Sequence, residues 1–383
     1  MQPLAGIRVL DFSTLLPGPL ATLLLAEAGA EVIKIERPGT GDEMRGYTPK
    51  FGTDSVNFAL LNRGKRSIAI DLKAKDAVSR LKPLLQGADV IVEQFRPGVM
   101  ARLGLGYGAV TAINPRIVYC SITGYGQSGP RAQTAAHDLN YIAETGMLAL
   151  SAGADGAPVL PPALVADIGG GAYPAVMNIL LALRAREGTG RGCKLDMAMA
   201  DHLFTFMYWA LGDGLAADRW PRPGGALVTG GSPRYQVYRT RDDRFVAAAP
   251  LEAKFWQNFC EAIDLPSDVR DDARDPAATR DAVAQRIRSR TADEWRAIFS
   301  GKDLCCSIVA SIEEALADPQ VVARQLFERQ VKADGKSMPA LPVPIAEIFR
   351  SDPRSAGYPA LGEANDVFGL PQCDPLASSR GKK

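Results

Sequence analysis

Two histidines occur in the chain of 383 residues, His137 and His202, so chemistry that needs an imidazole near neutral pH has two candidates. His137 sits in Ala136-His137-Asp138-Leu139-Asn140-Tyr141, past a strand-like run, where open α/β sheets keep their ligand sites. A lone His before Asp also suits a helix start or a polar surface. His202 lies in the apolar helical run HLFTFMYWAL and reads as a core or interface residue.

Asp167 stands in Val165-Ala166-Asp167-Ile168-Gly169-Gly170-Gly171-Ala172-Tyr173-Pro174, ahead of an apolar helix. Two readings fit. Asp is a favoured N-cap and Pro174 suits a first helical turn. Three consecutive glycines exceed what a cap needs, and they leave backbone N–H groups uncovered beside a carboxylate, which suits anion or oxyanion binding. Glu252 opens an amphipathic helix containing Phe255, Trp256, Phe259 and Ile263, where the helix dipole alone favours an acidic residue. Arg37 (IERPG) and Arg96 (EQFRPG) follow strands and precede Pro-Gly turns; each is either a solvated turn residue or a bidentate partner for phosphate. Gly124-Tyr125-Gly126-Gln127-Ser128-Gly129 matches G-x-G-x-x-G, but Pro130 and Arg131 follow in place of the apolar helix that would hold a pyrophosphate. Close approach of this loop to some other ligand stays compatible with its glycines.

The elements that must position these groups alternate. Strands are predicted at Ile7–Phe12, Glu31–Glu36, Ser67–Leu72, Asp89–Phe95 and Ile117–Thr123, with helices at Pro19–Ala30 and Lys73–Gly87. Such alternation implies an α/β fold: a large Rossmann-like domain whose mostly parallel sheet is covered on both faces. A helix at His202–Leu215 and a Pro- and Gly-rich linker at Trp220–Pro233 follow. Tyr235–Thr240 and Arg244–Ala249 make a hairpin pattern, and helices at Glu252–Ile263, Thr279–Ser289 and Ala292–Phe299 complete a smaller α+β domain. The expected division is 1–200 for the large domain, completed by about 330–383, then 201–232 as helix and linker and 233–330 as the small domain. The end of the chain, Ser378–Lys383, is expected to be disordered.

Composition narrows the function classes. Lys and Arg total 44 against 43 Asp and Glu, with 46% hydrophobic and 23% charged residues, so a soluble globular protein without a nucleic-acid-binding excess of charge is expected. Pro3 and Gly6 interrupt the opening residues, which argues against a signal peptide. The apolar stretches at Leu15–Ala30 and Ala175–Leu183 fall short of the ~20 residues that span a bilayer and read as core helices, so no membrane partner is expected. Six cysteines include no CxxC pair, and Cys305 and Cys306 are adjacent, which fits reduced thiols in a cytoplasmic protein. Two histidines exclude a multi-histidine metal centre.

GIRVLDFSTLLPGPLATLLLAEAGAEVIKIERPG, NRGKRSIAIDLK, EQFRPGV, SITGYGQSGP and GTGRGCKLDMAMAD together resemble the CaiB/BaiF, or family III, coenzyme A transferase superfamily over nearly the whole chain. Within it the chain is most similar to the α-methylacyl-CoA racemases. Their GHDxNY motif is matched by AHDLNY, with Ala136 in place of the glycine, and their active-site aspartate and glutamate by Asp167 and Glu252. The resemblance implies coenzyme A contacts from Arg37, Ile70, Asp71, Leu72, Lys73, Arg96, Ala136, Asp138, Leu139, Asn140 and Tyr141, and no cofactor beyond the coenzyme A moiety of the substrate. It also implies an interlocked homodimer, each active site lying between one subunit's large domain and the other's small domain. The implied reaction inverts the carbon next to a thioester, with His137 as base and protonated Asp167 as acid in one direction, roles exchanged in the other, and Glu252 orienting His137. Coenzyme A transfer through an Asp167 acyl intermediate is the alternative, and a non-catalytic coenzyme A-binding protein a third.

Overall fold

The structure is a computed structural model that describes residues 1–153, 155–350 and 355–371; Cys373 and the expected disorder of Ser378–Lys383 lie outside the described residues. Two compact units divide the chain. The larger draws on Met1–Ile142, Pro161–Phe206 and Gln325–Lys383, the smaller on Ala143–Leu160 and Met207–Arg324.

The larger unit is built on six parallel strands: β1 (Arg8–Asp11), β2 (Glu31–Glu36), β3 (Arg66–Ala69), β4 (Val90–Glu93), β5 (Val118–Thr123) and β6 (Lys194–Ala198), in the order β3-β2-β1-β4-β5-β6. All pairings are parallel. Helices cover both faces, so the central strands read as unbroken apolar runs rather than alternating ones. Leu10, Ile33, Ile68, Ile91 and Tyr119 of these strands are buried with Leu81 and Leu85 of helix α2 (Ala77–Gly87) in one core. Helix α1 (Pro17–Glu27) is buried along almost its whole length, which is why it is apolar on every side.

Three helices differ from expectation. The helix after β3 begins at Ala77 rather than Lys73, because the Lys73 N–H donates to Asp71 Oδ1 (2.9 Å) and the Ala74 N–H to Asp71 O (3.1 Å), making IDLK a turn. The apolar helix after Asp167 is longer than expected. A π-helical stretch over Ala166–Ala172 runs directly into α4 (Tyr173–Thr189), giving 24 continuous residues that are long and apolar enough to cross a bilayer by length and composition alone. Its inner side packs on α1, β5 and β6. Its outer side leaves Tyr173, Met177, Leu180 and Leu181 exposed, so only one side of it serves as core. The expected helix at His202–Leu215 breaks into α5 (Met199–Leu203), a 3₁₀ turn at Phe204–Met207, and a helix over Tyr208–Ala217.

In the smaller unit β7 (Gln236–Arg239), β8 (Phe245–Ala248) and β9 (Cys306–Ile308) form an antiparallel sheet in the order β9-β8-β7. Helices α6 (Ala253–Ala262), α7 (Pro276–Arg288) and α8 (Ala292–Phe299) accompany it, and Val246, Trp256, Phe259, Ile287, Trp295 and Phe299 share its core. Thr291 and Glu294 form a reciprocal capping box at the start of α8.

The chain then returns to the larger unit as β10 (Gln330–Ala333), β11 (Lys336–Pro339) and β12 (Ser355–Gly357), a three-stranded sheet ordered β11-β10-β12. Near its end Asn365 clasps β3: the Ala69 N–H donates to Asn365 Oδ1 (2.8 Å), and Asn365 Nδ2 donates to the Ala69 carbonyl (3.1 Å).

Candidate active site

The strand order of the large sheet reverses direction between β1 and β4, and ligands of such sheets sit in the crevice beyond the carboxyl ends at that point. A cavity of about 370 Å³ lies there. Its walls come from the loop after β1 and the start of α1 (Leu15, Pro17), the loop after β4 (Gln94, Arg96), the end of β5 and the loop beyond it (Thr123, Tyr125), the segment containing His137, and Asp167.

The loop after β1 is fixed by a buried ionic network. Asp11, Lys34 and Lys65 are fully buried. Lys65 Nζ donates to Asp11 Oδ2 (3.1 Å), Thr22 Oγ1 (2.7 Å), Asn62 Oδ1 (2.9 Å) and the Pro19 carbonyl (2.9 Å), while Lys34 Nζ bridges the Ser13 carbonyl (2.8 Å) and Asp42 (2.9 Å). Burial works to raise the Asp11 carboxyl, but the charges of Lys65 and Lys34 hold it well below the usual range. Asp42 accepts the N–H of Leu15 (3.1 Å), whose φ of +62° is a costly conformation for a branched side chain. Gln94 clamps the same loop, accepting from the Gly18 N–H (3.0 Å) and donating to the Thr14 carbonyl (2.9 Å).

Asp167 is half-buried inside the π-helical stretch, and its side chain caps nothing, which corrects the N-cap reading. Its backbone N–H donates to Oδ1 of the buried Asp138 (2.9 Å), so that N–H is not open to an oxyanion. The glycines also have another reason. A Cβ on Gly170 would come within 2.4 Å of the Met199 carbonyl oxygen, one on Gly169 within 2.7 Å of the Phe206 ring, and one on Gly171 within 3.0 Å of the Met199 side chain. They admit α5 to backbone contact rather than exposing amides. Burial, then the neighbouring Asp138 charge, raises the Asp167 carboxyl to about 6, with His137 opposing.

His137 is exposed at the start of helix α3 (Asp138–Glu144). Its backbone N–H donates to Asn140 Oδ1 (3.0 Å), and its carbonyl accepts from the N–H groups of Asn140 (2.8 Å) and Tyr141 (3.2 Å). The Tyr141 hydroxyl donates to the Ala136 carbonyl (2.9 Å), so Asn140 and Tyr141 fix the backbone of the segment and leave the imidazole without a hydrogen-bond partner among the described residues. Ala136 does not adopt a positive φ, so the backbone there makes no demand for glycine. Burial and the neighbouring Asp167 push the Tyr141 phenol up to about 12. The glycines of the Gly-rich loop serve contacts within the protein. Gly124 accommodates the Tyr141 ring, the Gly126 N–H donates to Thr123 Oγ1 (3.0 Å), and the Gln127 N–H donates to Asp196 Oδ2 (2.9 Å).

The structure therefore gathers Arg96, Ala136, His137, Asn140, Tyr141 and Asp167 around one cavity, with Asp138 anchoring Asp167 behind it. Leu139 is exposed and lies outside the lining. Arg37 is exposed at the carboxyl end of β2, its Nε donating to Thr40 Oγ1 (2.8 Å). Asp71, Leu72 and Lys73 form the turn beyond β3, while the Ile70 side chain belongs to the core. Glu252 lies in the smaller unit, exposed just ahead of α6, its carboxylate without a hydrogen bond among the described residues. Leu15, Pro17, Gln94 and Met199 line the cavity without having been singled out; the nearest sequence signals were the LLPG turn after β1 and the place of Gln94 in EQFRPG. Cys120, Cys193, Cys260, Cys305 and Cys306 are all free thiols.

Known proteins resemble the chain along nearly its whole length. The sequence profile of CoA-transferase family III matches residues 4–365. The chain is 34% identical over 370 residues to the α-methylacyl-CoA racemase of Mus musculus, covering 94% of this chain and 91% of that protein. It is 32% identical over 378 residues to the succinyl-CoA:glutarate CoA-transferase of Homo sapiens, covering 95% and 84%. A crystal structure of a CaiB/BaiF family protein from Brucella suis superposes with a TM-score of 0.82 at 26% identity, covering 96% of this chain and 98% of that one. The chain belongs to CoA-transferase family III, the CaiB/BaiF family of enzymes that act on acyl-CoA thioesters.

Proposed function

We propose that the protein is an α-methylacyl-CoA racemase that inverts the carbon next to a coenzyme A thioester by 1,1-proton transfer. The observation that carries this is the pairing in one cavity of an exposed imidazole, His137, without a hydrogen-bond partner among the described residues, with a carboxyl raised to about 6, Asp167. Inversion needs one group on each face of the carbon, one taking a proton while the other returns one. His137 removes the α-proton of one enantiomer, the electron pair moves onto the thioester as an enolate, and protonated Asp167 delivers a proton to the opposite face; the reverse reaction exchanges the roles. A carboxyl near 6 keeps both its forms populated close to neutral pH, as a two-way proton carrier requires. Leu15, Pro17, Ile122 and Met199 give the cavity an apolar side for the acyl chain.

Glu252 enters this reading as the group that orients the imidazole, the part the family resemblance gives it. Arg37, Arg96 and the turn Asp71–Lys73 follow the carboxyl ends of β2, β4 and β3, as a row of contacts for coenzyme A would. A homodimer is part of the same reading, supported by the exposed apolar stripe of Tyr173, Met177, Leu180 and Leu181 on α4.

Coenzyme A transfer is the second reading, favoured by the near-equal identity of the transferase relatives and by Asp167 being the one carboxylate among the described residues that lines the cavity. There the ionised Asp167 attacks the thioester carbonyl, forms an acyl anhydride and releases the coenzyme A thiolate. Proton NMR of a 2-methylacyl-CoA in deuterated water, with no carboxylate acceptor present, separates the two. The expected result is loss of the α-proton signal with racemisation, reduced at least about 100-fold in His137→Ala. No exchange, with new thioesters formed once carboxylate acceptors are added, would establish transfer instead.

A further inference from the structure

Gly170 follows Asp167 by three residues in the same π-helical stretch, and its carbonyl is denied the usual α-helical donor. Four residues on stands Pro174, which has no N–H and whose ring would press on that carbonyl in an α-helix. The wider π turn relieves this crowding. Into the gap comes a side chain from α5: His202 Nδ1 lies 2.6 Å from the Gly170 carbonyl oxygen. A carbonyl only accepts, so Nδ1 carries the proton and donates. Met199 of the same short helix sits so close that Gly170 has no room for a Cβ, which fixes the approach of His202.

We infer that His202 is a positioning residue for Asp167, its Nδ1–H supplying the hydrogen bond that Pro174 withholds from Gly170 and thereby holding the π turn that presents the Asp167 carboxyl to the cavity. Without it, the buried Gly170 carbonyl loses its side-chain donor, which loosens the hold of α5 on the π turn and frees the helix to change register. A change of register turns Asp167 about the helix axis, away from the cavity it shares with His137. The inference rests on the proposed role of Asp167 in proton transfer.

The test compares His202→Leu, which keeps bulk without a donor, with His202→Asn, whose Nδ2–H stands the same number of bonds from Cα as histidine Nδ1–H. The expected result for His202→Leu is a loss of about 10- to 100-fold in kcat for α-proton exchange, with KM for the acyl-CoA within about twofold and the Asp167 limb of the pH–rate profile displaced. His202→Asn is expected to stay within about threefold of the parent in all three. Amide hydrogen exchange over 166–176 should be faster in His202→Leu than in His202→Asn. Parental kcat, pH profile and amide protection in His202→Leu would overturn the inference, as would equal impairment of the two variants. Should His202→Leu not fold, His202→Met, of similar bulk and likewise without a donor, takes its place with the same expectations. If the parent protein exchanges no α-proton, the proposed reaction fails, and the amide-exchange comparison alone still decides whether His202 holds the turn.

Discussion

The backbone N–H of Asp167 donates to Oδ1 of Asp138 across 2.9 Å, which ties the segment after β5 to the π turn ahead of α4. Two neighbours in sequence thus split one task. His137 faces the cavity, and Asp138, buried beneath it, holds the carboxylate that faces the same space.

Asp138→Asn keeps an oxygen to accept the Asp167 N–H and removes the charge that helps to raise its carboxyl. The Asp167 limb in the pH–rate profile of α-proton exchange is expected near 6 in the parent protein and at lower pH in the variant. Stopped-point NMR assays from pH 4 to 8 measure both. An unmoved limb would show that burial alone sets it.

Asp167→Asn is expected to stabilise the protein at neutral pH while abolishing turnover. Because the folded carboxyl titrates near 6 and the unfolded one near 3.8, the folded state binds the proton more tightly. The parent protein therefore loses stability as pH rises from about 4 to about 6, by about 1–3 kcal/mol for this one group. Asparagine carries no such penalty. Urea unfolding should show the variant ahead at pH 7 and level at pH 3.5; a gap independent of pH would mean the carboxyl is not raised.

Lys65→Met strips the fully buried Asp11 of its closest counter-charge. Removing one partner of such a pair costs about 3–5 kcal/mol, and restoring neutrality with Asp11→Asn in the same chain should recover part of it. Denaturant midpoints of the two variants and their combination measure this, with a loss under about 1 kcal/mol counting against the network.

Much of the large sheet was readable because burial on both faces writes parallel strands as continuous apolar runs, as in VIV of β4. The edge strand β6, KLDMA, escaped because half of it faces outward and its sequence mixes charge with apolar residues. His137 and Asp167 stood out by residue type and by their neighbours. What tied them together did not: the Asp138 bond spans 29 positions, and nothing in the local pattern marks it. The π turn was hidden for a different reason. Gly-Gly-Gly followed by Tyr-Pro has the form of a helix start, and only the Met199 backbone lying against Gly170 shows that the helix has already begun. The cavity wall from Leu15 to Pro17 was likewise concealed, since its shape comes from Asp42 and Gln94, both far along the chain.

The clasp of Asn365 on Ala69 joins positions 296 residues apart. On a translating ribosome adding about 5–20 residues per second, β3 therefore waits about 15–60 s for its clasp. Throughout that interval the nascent sheet presents an unfinished border, the kind of surface that recruits a neighbouring nascent chain or a chaperone. The turn Asp71–Lys73, just beyond that border, gains its final support only once Asn365 has been translated, so the rate of translation sets how long the border stays open.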